Sequence, residues 1–127
     1  MKFTSITTGF GRVAALAALG FALAGAALAD EMTLELRNGQ PVAVDVELYS
    51  QARDQVWPGG GAFFRVEPGA SQSTVITCTT GESICYGAWP SGNDGVRYGV
   101  GPDGIEKCET CCFTCDSGAR AAFDIGR

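Results

Sequence analysis

Met32-Thr33-Leu34-Glu35-Leu36-Arg37-Asn38-Gly39-Gln40-Pro41-Val42-Ala43-Val44-Asp45-Val46-Glu47-Leu48-Tyr49 is the stretch whose reading decides the fold. Apolar and polar residues alternate from Met32 to Arg37, and again from Val42 to Tyr49. That period of two gives each run one apolar face, the pattern of a half-buried strand. Between the runs, Asn38-Gly39 is the dipeptide that best tolerates the positive φ angles of a type I′ turn. The expectation is a β-hairpin, 32–37 against 41–49, with Val42, Val44, Val46 and Leu48 on the core face.

Working outward, the same chemistry repeats. Ser50 to Gly61 is a polar loop ending in Trp57-Pro58-Gly59-Gly60-Gly61, where no regular element can persist. Residues 62–67 read as a third strand stopped by Pro68-Gly69, 73–78 as a fourth, and 83–89 as a fifth ended by Pro90-Ser91-Gly92-Asn93-Asp94-Gly95. A short strand is expected over 96–100 and a last one over 120–125. Strands in near-regular succession, with turn residues between them and no βαβ rhythm, predict an all-β fold: a small antiparallel β-sandwich of about seven strands. One short helix is expected as well. Asp103 stands as N-cap with Glu106 three residues on, Gly118 is a stop, and Ile105, Cys108, Cys112 and Cys115 fall on one helical stripe.

The chain before this region reads as a secretory signal peptide, residues 1–29, leaving 30–127 as a single domain of 98 residues. Lys2 and Arg12 make a positive start, Val13 to Leu28 is apolar, and Ala27-Leu28-Ala29 is the small-x-small pattern of a cleavage site. The apolar run of about 16 residues is shorter than the roughly 20 that span a bilayer, so no stable membrane insertion is expected after cleavage. No Arg-Arg pair precedes the run and no cysteine follows the cleavage site. The first absence points to the general secretion route and the second argues against a lipoprotein, so the expected destination is the periplasm or beyond. Loss of Lys2 and Arg12 leaves seven basic against fourteen acidic residues, a net charge of −7. Such a domain is repelled by nucleic acid and by anionic lipid, so neither is an expected partner.

There is no histidine, which removes imidazole acid–base chemistry, Ser-His and Cys-His nucleophile pairs, and His-containing metal sites together. The carboxylates are scattered over strand and turn positions and read as a solvated acidic surface. No catalytic residue and no cofactor is expected. The six cysteines, Cys78, Cys85, Cys108, Cys111, Cys112 and Cys115, are an even number in a small exported domain and read as structural disulfides. A two-residue turn at Gly81-Glu82 sets Cys78 opposite Cys85 and leaves the other four to pair among themselves; in the rival arrangement Cys78 and Cys85 each staple a strand to the cluster. The alternative chemistry is a thiolate metal site or a thiol-redox centre at Cys108, Cys111, Cys112 and Cys115, since two CxxC units supply four thiolates. One-sided helical spacing and an oxidising destination both argue against it.

Candidate binding residues are Trp57 and Gly59 in the Trp57–Gly61 loop, Asn93 and Asp94 in the Pro90–Gly95 loop, and Trp89 immediately before the latter. An exposed indole beside polar side chains stacks on a sugar ring or on a partner's peptide. Trp57 is the better candidate for exposure, because alternation places Trp89 with Cys85 on a packed face. The functional expectation is a non-catalytic binding module of the cell envelope whose ligand is a saccharide or a partner protein. The alternatives are the thiolate protein and a small, rigid inhibitor of an envelope enzyme.

Ser83-Ile84-Cys85-Tyr86-Gly87-Ala88-Trp89, Tyr98-Gly99-Val100-Gly101 and the CxxCCxxC of 108–115 together resemble small exported bacterial Cys-rich proteins of unassigned function, over roughly residues 45–116. The opening strands, the Trp-Pro-Gly-Gly-Gly loop and Val66-Glu67-Pro68-Gly69 are similar to thaumatin-like β-sandwiches. That resemblance implies a disulfide-stapled sandwich, often one that binds carbohydrate in an acidic cleft. This chain is about half a thaumatin domain and its cysteines are arranged differently, so no functional residue carries over.

Overall fold

The structure is a computed structural model and describes residues 29–126. Of the leader read at 1–29, residues 1–28 lie outside the described residues. All regular structure among them is β: β1 Ala29–Asn38, β2 Val44–Ser50, β3 Val56–Trp57, β4 Phe64–Val66, β5 Ser71–Thr79, β6 Ser83–Pro90, β7 Tyr98–Gly99, β8 Cys112–Thr114 and β9 Arg120–Ile125. The strands form two sheets. The first is three-stranded in the order β5-β1-β9, with β1 antiparallel to β5 and parallel to β9. In the second, β2 and β6 pair along their length, β3 and β4 flank β2, and β7 and β8 flank β6.

The expected hairpin is not formed. β1 and β2 belong to different sheets, and neither Asn38 nor Gly39 adopts the positive φ that a type I′ turn requires. The reason lies in the apolar rows. Leu34 and Leu36 of β1 and Val44, Val46 and Leu48 of β2 are all fully buried in one cluster. The link 39–43 carries the chain from one layer to the other, so that the rows face each other across the core instead of lying side by side. Asn38 is recruited to hold this crossing. Its carboxamide nitrogen donates to the carbonyls of Val42, Val66 and Glu67 at 2.8, 3.0 and 3.2 Å, and its oxygen accepts from the Gln40 amide at 2.9 Å. A buried polar group must be matched in this way, and the match here is tertiary rather than a local turn.

The Thr79–Ser83 corner follows the same rule. Gly81 has φ +87° and the Glu82 amide donates to the Thr79 carbonyl, so a tight turn does form. It too joins the two sheets, β5 to β6, and Cys78 and Cys85 therefore do not face each other.

No helix occurs among the described residues, and the one expected after Asp103 is replaced by turns and the short strand β8. Gly104, which would occupy the first helical turn, is left-handed at φ +70°. Cys112 and Cys115 are each tied to a different strand, and the segment between them pairs with the edge of β6, Ile84 against Phe113 and Cys85 against Cys112. Thr, Cys and Phe are weak helix formers and yield readily to such pairing.

The core lies between the sheets. On the opposite side of the second sheet, Tyr49, Cys85 and Val100 make a smaller buried group. It is covered not by another sheet but by the segment that follows β7.

Candidate functional site

Both tryptophans are buried, 8% exposed at Trp57 and 6% at Trp89, and they occupy opposite faces of the second sheet. Residues directly opposed on antiparallel strands share a face. Trp57 is opposed to Leu48, which is inward, whereas Trp89 is opposed to Asp45 on the outer side. The Trp57 indole donates to the Thr77 carbonyl of β5 at 3.0 Å and so bridges the two sheets, with the Arg53 guanidinium 5.8 Å from its ring centre. Trp89 lies edge-on to Phe63, centroids 5.1 Å apart. Gly59 is left-handed and close to the Val56 carbonyl. Asn93 and Asp94 are exposed, and the Asn93 side chain is engaged by the Gly95 amide at 3.2 Å. The expectation of an exposed Trp57 is thus overturned. Its position against the Leu48 row, with an N–H that must find an acceptor, draws it into the interior.

The six cysteines form three disulfides and none is free. Cys78 pairs with Cys115, Cys85 with Cys112, and Cys108 with Cys111. The arrangement is the rival one: each of the two upstream cysteines staples its strand to the cluster. The first bridge ties β5 of one sheet to the segment after β8 of the other. The second joins opposed residues of adjacent strands, Cα atoms 3.9 Å apart. The four clustered cysteines go to three different bridges, so they do not converge as four thiolates. Three intramolecular disulfides are the chemistry of an oxidising compartment.

The segment from Val100 to Cys112 lies on the outer face of the second sheet because bare glycines let it come close. A Cβ at Gly87 would overlap the Gly101 carbonyl, and one at Gly104 would stand 2.7 Å from the Tyr49 ring. The Tyr49 hydroxyl donates to the Pro102 carbonyl. Burial, with the Glu47 carboxylate beside it, pushes the Tyr49 phenol well above its ordinary range, so this donor keeps its proton. Burial likewise raises Glu47. The Glu106 amide donates to the Val100 carbonyl at 3.0 Å, and its carboxylate accepts from Arg97 at 2.9 Å. The Cys108–Cys111 bridge closes the far end of the segment. An open groove of about 590 Å³ runs beside it, lined by Gln51, Ile105, Lys107, Glu109 and the half-buried Cys108. Ile105 is 80% exposed, the most exposed large apolar side chain among the described residues.

Glu82 is the group that sequence reasoning missed. Only 6% exposed, it accepts from the Ser50 hydroxyl at 2.6 Å, from Arg53 Nε and Nη2 at 2.8 and 2.9 Å, and from the Thr79 amide at 2.8 Å. These donors, Arg53 foremost, hold its carboxyl down at about 2. Its backbone pairs with the Cys115 segment, Cys115 N–H to Glu82 carbonyl at 2.8 Å. With every lone pair engaged, Glu82 is a fastening for the corner between the sheets and not a proton-transfer group. Its only sequence signal was a charged residue in a tight turn, which ordinarily faces water.

Comparison of the chain with protein-family profiles, with curated proteins and with solved structures gives no match in any of the three.

Proposed function

We propose that the chain is an exported, non-catalytic binding module of the cell envelope, a disulfide-stapled β-sandwich that engages a partner protein through the 100–112 segment. The observation that carries this reading is Ile105, an apolar side chain 80% exposed on a segment fixed at both ends. The Tyr49–Pro102 and Arg97–Glu106 contacts and the Cys108–Cys111 bridge hold its backbone. An apolar anchor presented on a prearranged backbone loses little entropy when it enters a partner's pocket, which is the economy of a protein-recognition loop. Exposed Lys107 and Glu109 flank it as a polar rim.

A saccharide is the less favoured ligand in this reading, because both indoles are buried and a stacking platform requires an open ring face. The inhibitor reading is the special case in which the pocket entered by Ile105 is an enzyme's.

The test is photo-crosslinking in the cell of origin. A photoreactive residue at position 105 is expected to give one discrete protein adduct, while the same residue at Val75, 60% exposed on the other sheet, gives none. Absence of an adduct from position 105, together with retention on immobilised glycans, would overturn the proposal in favour of carbohydrate binding.

A further inference from the structure

The two edges of the β5-β1-β9 sheet are treated differently. The β5 edge is obstructed, because the Trp57 indole occupies the outward carbonyl of Thr77. The β9 edge is not. Among the described residues β9 pairs with β1 alone.

Which backbone groups point outward from β9 follows from one contact. The Thr33 amide donates to the Ala119 carbonyl at 3.1 Å, with Thr33 in register with Arg120. In a parallel ladder this places the N–H and C=O of residues 121, 123 and 125 toward β1. The groups of Arg120, Ala122 and Asp124 then face the open edge. These same three residues carry the exposed side chains, whereas Phe123 and Ile125 are buried.

We propose that β9 is a self-pairing strand through which a second copy of this chain joins the sheet. An antiparallel copy related by a two-fold axis at Ala122 sets Ala122 against Ala122, Arg120 against Asp124 and Asp124 against Arg120. All three opposed pairs are of the type that exchanges both backbone hydrogen bonds, so every outward N–H and C=O of β9 is matched. Side chains of opposite charge meet at both ends, with the small alanines at the axis. Register within the sheet strengthens the match. Arg37 lies beside Asp124 on β1, so each Asp124 would stand between Arg37 of its own chain and Arg120 of the other copy. The surface is isologous, as a two-fold interface must be, and it removes an exposed strand edge. Six strands in one continuous sheet result. This interface is distinct from the Ile105 segment and stands or falls separately from it.

Sedimentation of the purified, oxidised protein over a concentration series at low ionic strength tests the proposal. A reversible monomer–dimer equilibrium is expected. Arg120→Asp and Asp124→Arg each place like charges at both ends of the pair and are expected to weaken association about tenfold or more. The double variant R120D/D124R restores opposite charges and is expected to recover dimerisation to within about threefold of the wild type. Ala122→Pro removes an N–H that faces solvent in the monomer, so the fold, read by circular dichroism, is retained and the dimer is lost. A wild type that stays monomeric at its highest soluble concentration overturns the proposal. So does a dimer that survives Ala122→Pro, or one that the double charge reversal fails to restore.

Discussion

Replacing Glu82 by Gln tests whether a buried carboxylate fastens the corner between the two sheets. Gln keeps the shape but not the charge that draws two donors from Arg53 and one each from Ser50 and Thr79. In the folded chain the carboxyl is lowered from 4.5 to about 2. At about 1.4 kcal/mol per tenfold change, this corresponds to about 3 kcal/mol of stability. Screening lowers the figure toward about 2 kcal/mol, because Arg53 itself is half exposed. The sign follows from the direction of the shift. The folded value lies below the unfolded one, so the contribution is complete above about 4.5 and is lost as pH falls through about 2. Urea unfolding of wild type and Glu82→Gln at pH 6 and pH 2 isolates it, since the other carboxylates titrate equally in both proteins. The wild-type advantage at pH 6 is expected to be about 2–3 kcal/mol, a midpoint difference of roughly 2 M for a domain of this size. It should nearly vanish at pH 2. An advantage of the same size at both pH values would refute the reasoning, because the stabilisation would then not come from the ionised carboxylate.

Three further outcomes follow from the geometry. Removing Cys78–Cys115 by double alanine substitution leaves Cys85–Cys112 nested within the same loop, so only the short outer loop is freed and the cost should be about 3 kcal/mol; removing Cys108–Cys111 should cost about 2 kcal/mol or less, both read by non-reducing urea melts. Trp57→Phe leaves the Thr77 carbonyl without its indole donor and should lower stability by about 1–2 kcal/mol, a fall in melting temperature of roughly 5–10 °C. Gly87→Ala inserts a methyl group where the Gly101 carbonyl lies, so the 100–112 segment should lift from the sheet. Faster proteolytic cleavage within that segment, with the far-ultraviolet circular dichroism unchanged, is the expected signature.

Strand positions were legible because period-2 burial is a local pattern. β2, β5, β6 and β9 fall within a few residues of where alternation puts them, and Asn38-Gly39 and Gly81-Glu82 do mark corners. What alternation does not carry is whether two successive strands lie side by side or face each other across a core. Both arrangements bury the same alternate residues. At Asn38 the choice rests on carbonyls of Val66 and Glu67, some 28 residues away, and at Glu82 on Arg53 and the Cys115 segment. The two-residue β3 and three-residue β8 were too short to show a period. The i, i+3 and i+7 spacing of the cysteine stripe is a local pattern that matches a helix and carries no information on which strands the cysteines bind. Once Cys112 and Cys115 are bound to strands of different sheets, an extended backbone satisfies both. At the site, Ile105 shares that helical spacing in the sequence, and the glycines that lay its segment on Tyr49 and Gly87 act through contacts with residues distant in sequence.

The parallel pairing of β1 with β9 has a bearing on how the chain acquires its shape. β1 is the middle strand of its sheet, yet Asn38 finds its partner Ile125 at the opposite end of the described chain. A polypeptide made from its N-terminus therefore holds its central strand with one flank bare until the last strand has been synthesised. Closure of that sheet is a late and slow event by virtue of the long loop it must bridge. Until then the Leu34–Leu36 row has no complete cover. Such a delay, built into the order of its strands, suits the exported role proposed for the chain.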